Sequence, residues 1–255
     1  MASGGSGNDK LFGSSYKEAL FGGTGHDKLY GEAGDDYLNA GPGDDYVDGG
    51  AGDDEIKGGD GEDELYGGAG ADTVHGGDGD DYIRGNDGND DLHGGAGDDF
   101  IEGRENDDDI WGGEGNDYLY GGNGSDVVRG GAGDDFVLAN DVLNGVPDGD
   151  DATLSTPYDY LYGDEGNDAL FGANNTESQY LLGGSGDDYI LGGSNTTNQK
   201  IWGEDGDDFI RTGVEAETLV TADGGKGDDV INEFAVDPTG AVGRYKRYEY
   251  ENQKI

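Results

Sequence analysis

The chain has 255 residues, among them 56 Gly, 59 acidic and 14 basic residues, for a formal net charge of -45 at pH 7. That balance excludes a nucleic-acid binder, which needs surplus Lys and Arg to meet phosphates. With 31% apolar residues the chain reads either as disordered or as a fold that something cationic completes.

Without Cys there is no disulfide framework, thiolate metal site or Cys nucleophile. The opening MASGGSGNDKLF lacks the apolar stretch of a signal peptide, and no segment is apolar for long enough to form a transmembrane helix.

From Gly4 to Leu138 the sequence divides into fifteen consecutive nine-residue units, for example GGAGDDEIK, GGDGEDELY and GGDGDDYIR. The eighth position is aliphatic in every unit, from Leu11 and Leu20 to Val128 and Val137. The sixth is Asp9, Asp27, Asp36, Asp45, Asp54, Asp63, Asp72, Asp81, Asp90, Asp99, Asp108, Asp117, Asp126 and Asp135, with Glu18 the one exception. Paired Gly with small or acidic residues reads as a tight turn. The closing triplet, such as Tyr82-Ile83-Arg84, reads as a short strand with its middle residue inward. Turn, strand, turn, strand makes a coil of eighteen residues. Stacked coils give an all-β solenoid of about twelve coils, two parallel sheets facing across a thin aliphatic core.

The frame breaks at residues 139–153, read as an inserted loop, so residues 1–138 form a regular block and 154–232 a second one. In the second block Asp159, Asp168, Asp188, Asp208 and Asp229 keep the acidic position, while intervening units carry Gln179 or Gln199 and are two residues longer. Because alternate units lie on opposite edges, one edge is predicted to keep its Asp column throughout and the other to lose it near residue 160. Gln179 and Gln199 then stack as a neutral amide pair. The adjacent Asn/Thr-rich turns hold sequons at Asn174 and Asn195. Residues 233–255, with Arg244, Lys246, Arg247 and Lys254, read as a C-terminal cap or tail.

One buried aliphatic per nine residues does not offset the entropy of ordering nine backbones, and stacked aspartates repel. A hard divalent cation between successive turns answers both. Calcium takes six to eight oxygens from carboxylates and carbonyls, magnesium keeps its waters, and the ligands of softer metals are nearly absent.

Gly49-Gly50-Ala51-Gly52-Asp53-Asp54-Glu55-Ile56-Lys57 and its siblings resemble the GGxGxDxUx nonapeptide of the RTX (repeats-in-toxin, haemolysin-type) calcium-binding family, over about residues 4–232. The resemblance implies a right-handed parallel β-roll with Ca2+ between consecutive turns on each edge. Its ligands are then the sixth-position aspartates of two turns, from Asp9 to Asp135 as above and Asp159, Asp168, Asp188, Asp208 and Asp229, with turn carbonyls. About sixteen ions fill all like-edge gaps and cut the charge to about -13. The resemblance also implies secretion through a type I channel if the source is bacterial, with folding outside at roughly 10⁻⁴–10⁻³ M calcium.

Read in alternate units, the seventh position gives Tyr46, Glu64, Tyr82, Phe100, Tyr118, Phe136, Ala169, Tyr189 and Phe209. This aromatic ladder on one sheet face either stabilises parallel strands in place or docks a partner protein, domain or sugar chain. The N-terminal coil, with no cap before it, is a second candidate partner surface. His75 and His93 fall eighteen residues apart, a spacing that lets them stack but brings no third ligand, His26 stands alone in a turn, and no catalytic motif occurs. The function these features support is a non-catalytic, calcium-folded scaffold of a secreted protein or assembly. The alternatives are the calcium-binding C-terminal module of a secreted enzyme, toxin or adhesin, and a carbohydrate-binding module using the ladder.

Overall fold

The computed structural model describes residues 1–139, 158–172, 178–193, 198–212, 219–232, 235–236 and 242–243. The described residues form no helix. Successive strands pass alternately into two twelve-stranded sheets, the first running from Ala2–Ser6 to Leu219–Asp223 and the second from Lys10–Ser14 to Val230–Asn232. Neighbours within a sheet are parallel and one coil apart, as in Leu65↔Ile83↔Ile101. This is the expected parallel β-solenoid.

The sheets run unbroken across the frame break. Val128 pairs with Leu161 and Val137 with Leu170, so the offset between stacked aspartates rises from 18 to 33 residues and then falls to 20 and finally 21. The ladders of the described strands are thus continuous across the break, and both expected blocks contribute to the same two sheets. Residues 140–153 of that insertion, residues 154–157 of the second block, the sequons at Asn174 and Asn195, and the basic residues of the C-terminal segment lie outside the described residues. Beyond residue 232, Ala235–Val236 pairs antiparallel with Val242–Gly243.

The strands are longer than the triplets suggest. Tyr46–Ala51 and Glu55–Asp60 each take the last three residues of one unit and the first three of the next. Along them burial alternates, so the eighth and first positions both point inward. The eighth supplies the core: Ile56, Ile83, Leu161 and Ile201 are all 0% exposed, each contributing about 1.5–3 kcal/mol. The first is Gly in every regular unit but one, where Ala40 stands, because the space is taken; a Cβ on Gly58 would lie 2.2 Å from Asp63 Oδ2. At the second, Gly77 has φ +133° and its Cβ would lie 1.9 Å from the Gly59 carbonyl oxygen of the preceding coil. Coil spacing, as much as turn formation, demands these glycines.

Candidate metal columns

At the first edge the chain passes from the first sheet to the second, and there Asp9, Asp27, Asp45, Asp63, Asp81, Asp99, Asp117, Asp135, Asp168, Asp188, Asp208 and Asp229 stack coil upon coil. At the second edge, where it returns, the stack is Glu18, Asp36, Asp54, Asp72, Asp90, Asp108, Asp126 and Asp159, followed by Gln179 and Gln199. The two edges thus differ as expected.

The aspartates point inward rather than lining the rim: from Asp27 onward each is at most 4% exposed. Along both columns the backbone N–H of one residue donates to Oδ1 of the aspartate in the next coil, at 2.6–3.1 Å. The other oxygen, Oδ2, is buried without a hydrogen-bond partner in all twelve first-edge aspartates and in Asp36, Asp54, Asp72, Asp90, Asp108 and Asp126. A buried ionised oxygen without a partner costs several kcal/mol. Burial, reinforced by neighbouring carboxylates and only partly offset by the backbone hydrogen bond, accordingly pushes the carboxyls of Asp63 and Asp72 up to about 7, Asp99 and Asp135 to about 8, and Asp108 to about 9.

The orphaned oxygens face cradles kept open by the glycine at the first position, with Ala40 beneath Asp45 the exception. A Cβ on Gly49 would lie 2.5 Å from both Asp54 Oδ2 and the carbonyl oxygen of Gly67 in the next coil. Carboxylate and carbonyl oxygens thus converge around one small space, a donor set that suits a hard divalent cation. Among the described residues no three His, Cys, Asp or Glu side chains gather into a metal cluster. Backbone carbonyls must therefore supply much of any coordination shell.

A second, outer column escaped the sequence reading. At the fifth position Asp80, Asp98, Asn116, Asp134, Asn167, Asp187 and Asp207 each accept, through Oδ1, the backbone N–H of the corresponding residue in the following coil at 2.8–2.9 Å. These bonds run opposite to those of the buried column, so adjacent coils are laced in both directions. The signal was the recurrence of Asp or Asn before the sixth-position Asp, overshadowed by the stronger Asp.

The aromatic ladder is also more complete than the seventh position shows. The ring contacts run Phe12, Tyr30, Tyr46, Tyr66, Tyr82, Phe100, Tyr120, Phe136, Phe171, Tyr189 and Phe209, centroids 5.0–6.2 Å apart. Ninth-position rings fill the gaps at Glu64 and Ala169, and Tyr118 packs beside Phe136. Near-parallel pairs such as Tyr82–Phe100 at 11° and Tyr189–Phe209 at 0° are offset-stacked. On the other sheet His75 and His93 stack at 4.7 Å, and His93 Nε2 lies 2.8 Å from Asp91 Oδ1. His26 is not isolated, because its Nδ1 accepts the Asp44 N–H at 2.9 Å.

The family model of the RTX calcium-binding nonapeptide repeat (4 copies) matches residues 2–15, 12–47, 39–74, 48–83, 66–101, 102–137, 158–176, 178–196 and 198–215. Comparison with curated proteins finds no match.

Proposed function

Because this chain belongs to the family of RTX calcium-binding nonapeptide-repeat proteins, we propose that its buried aspartates are the calcium ligands and that calcium completes the roll as a non-catalytic scaffold of a secreted protein or assembly. The observation that carries this reading is the row of buried, partnerless Oδ2 atoms, most of which share a cradle with a carbonyl oxygen of the next coil, as Asp54 does with Gly67 and Asp63 with Gly76. Calcium between coils supplies the positive charge those oxygens lack. The chain's own part is to hold each carboxylate by an Oδ1 hydrogen bond, turn Oδ2 to the cradle, and exclude side chains from it with glycine.

At cytosolic calcium the columns stay charged and the coils separate; at extracellular calcium they close cooperatively, since each internal ion bridges two coils. Secretion before folding is consistent with that dependence. The use as a glycan platform draws little support where the ladder's rings stack, as in Tyr82–Phe100 and Tyr189–Phe209, because those ring faces are turned toward one another.

The test is a calcium titration of chelator-treated protein followed by far-UV circular dichroism, with magnesium as control. A steep coil-to-β transition near millimolar calcium, absent with magnesium, is expected. A roll already folded in EDTA defeats the proposal.

A further inference from the structure

We propose that the calcium column of the second edge is closed at both ends by hydrogen-bonded side chains, Glu18 at its start and Gln179 at its finish, so that the two edges hold unequal numbers of ions. The inference rests on the calcium reading above and concerns where that chemistry stops.

At the start, Glu18 does what no aspartate of the column does. The Ser14 N–H donates to its Oε2 at 2.9 Å and the Ser14 hydroxyl to its Oε1 at 2.5 Å. The extra methylene folds the carboxylate back onto its own turn, both oxygens are engaged, and neither awaits a cation. The turn itself, Gly13-Ser14-Ser15-Tyr16-Lys17-Glu18, lacks the further glycines of the regular units.

At the finish, Asp159 is buried like its predecessors, yet its Oδ2 accepts the Gln179 Nε2–H at 3.3 Å. Gln179, 0% exposed, sends its Oε1 to the Gly193 N–H at 3.2 Å, and Gln199 Nε2 donates to the Gly193 carbonyl oxygen. Where a Cβ on Gly172 or Gly192 would stand, the close atom is now Gln179 Oε1 at 2.5 Å or Gln199 Oε1 at 2.6 Å. A neutral amide thus fills the cradle that elsewhere holds a carboxylate oxygen, and brings its own donor to the last aspartate. Asp159 still faces Asp126 below, so that gap stays open while the next one upward is closed.

Counting gaps in which the lower aspartate offers an orphaned Oδ2 and the upper coil an aspartate gives eleven on the first edge and six on the second, hence seventeen ions, which corrects the sequence count of about sixteen. Native mass spectrometry of the full chain at saturating calcium is expected to resolve this number, and a count above seventeen overturns the closure. Gln179→Glu keeps the side-chain length but removes both amide hydrogens. It is expected to add one ion, and a folded variant that adds none overturns the role given to the amide. The calcium reading itself is tested separately by Asp54→Asn, which is expected to lose one or two ions. If Asp54→Asn loses none, the columns are not calcium sites at all, a failure distinct from a misplaced boundary.

Discussion

Coils of the N-terminal block and coils beyond residue 158 share the same core. Ile83 and Ile101 before the insertion, and Leu161, Leu181 and Ile201 after it, are equally buried and stacked in the same parallel register. Their edges differ: from Asp36 to Asp135 both columns carry partnerless carboxylate oxygens, whereas beyond Asp159 only the first edge does. The sheets do not register the change. The demand for a cation is therefore set at each edge by the atoms filling one small cradle, and a neutral amide that both donates and accepts there removes it. On the proposed reading, calcium holds neighbouring coils together by completing a buried polar site at each edge.

The largest effect should come from removing calcium while watching the two blocks apart. Hydrogen exchange followed by mass spectrometry across a calcium titration is expected to show protection in Tyr46–Ala51 through Val127–Ala132 falling about twice as steeply with calcium as in Ser178–Ser185 and Asn198–Asp205, because two columns per coil give way to one. Equal steepness in both blocks would break the comparison.

Protons should substitute for calcium, with the sign fixed by the raised carboxyls. A group whose folded pKa lies above its unfolded value of 3.8 contributes stability that is full below that value and lost as pH rises through the folded one, here about 6 for Asp54, 7 for Asp63 and 8 for Asp99. In EDTA, lowering the pH from about 8 to about 5 should thus restore β-structure, and more in the N-terminal block, since Gln179 and Gln199 do not titrate. Calcium-loaded protein should move the opposite way, losing ions as the carboxylates protonate. Circular dichroism with and without EDTA separates the two, and a metal-free chain that unfolds further on acidification would refute the account.

Most of the core and much of the edge chemistry could be read in the nine-residue period. The aliphatic eighth position named Leu11 through Val137 as core without error, and the Asp-to-Gln change marked the edge asymmetry. Three things were hidden. The glycines of the first two positions read as turn residues, yet Gly49 and Gly50 lie in a strand; only the spacing between coils shows why a Cβ fails there. The fifth-position Asp or Asn recurs visibly in the sequence, but the backbone N–H that each one reaches in the following coil does not. The ladder was incomplete because a seventh-position count omits Tyr66 and Phe171, which sit two residues on and lean across to rings in neighbouring coils.

The shared core offers a control of middle size. Ile83→Ala and Ile201→Ala each remove a side chain that is 0% exposed, and each should lower stability by about 2–5 kcal/mol at saturating calcium. Chemical denaturation checks this, and a markedly smaller loss at Ile201 would show that the C-terminal coils are looser, so that their edge difference reflects packing rather than chemistry.

The smallest expected effect concerns the ladder, which crosses both blocks without regard to the edges. Tyr189 is 39% exposed but lies parallel to Phe209 at 5.2 Å. An offset-stacked pair is worth about 0.5–1.5 kcal/mol beyond the area it buries, so Tyr189→Ser should cost about that much while leaving calcium affinity and ion count unchanged. Tyr82→Ser, stacked on Phe100 at 5.3 Å in the two-column block, should cost a similar amount, since metal number at the edge does not alter how rings overlap on the face. If either substitution shifted the calcium midpoint by as much as an edge Asp→Asn change, face and edge would be energetically coupled, and the ladder would have to be counted as part of the metal site rather than as a separate brace along the rod.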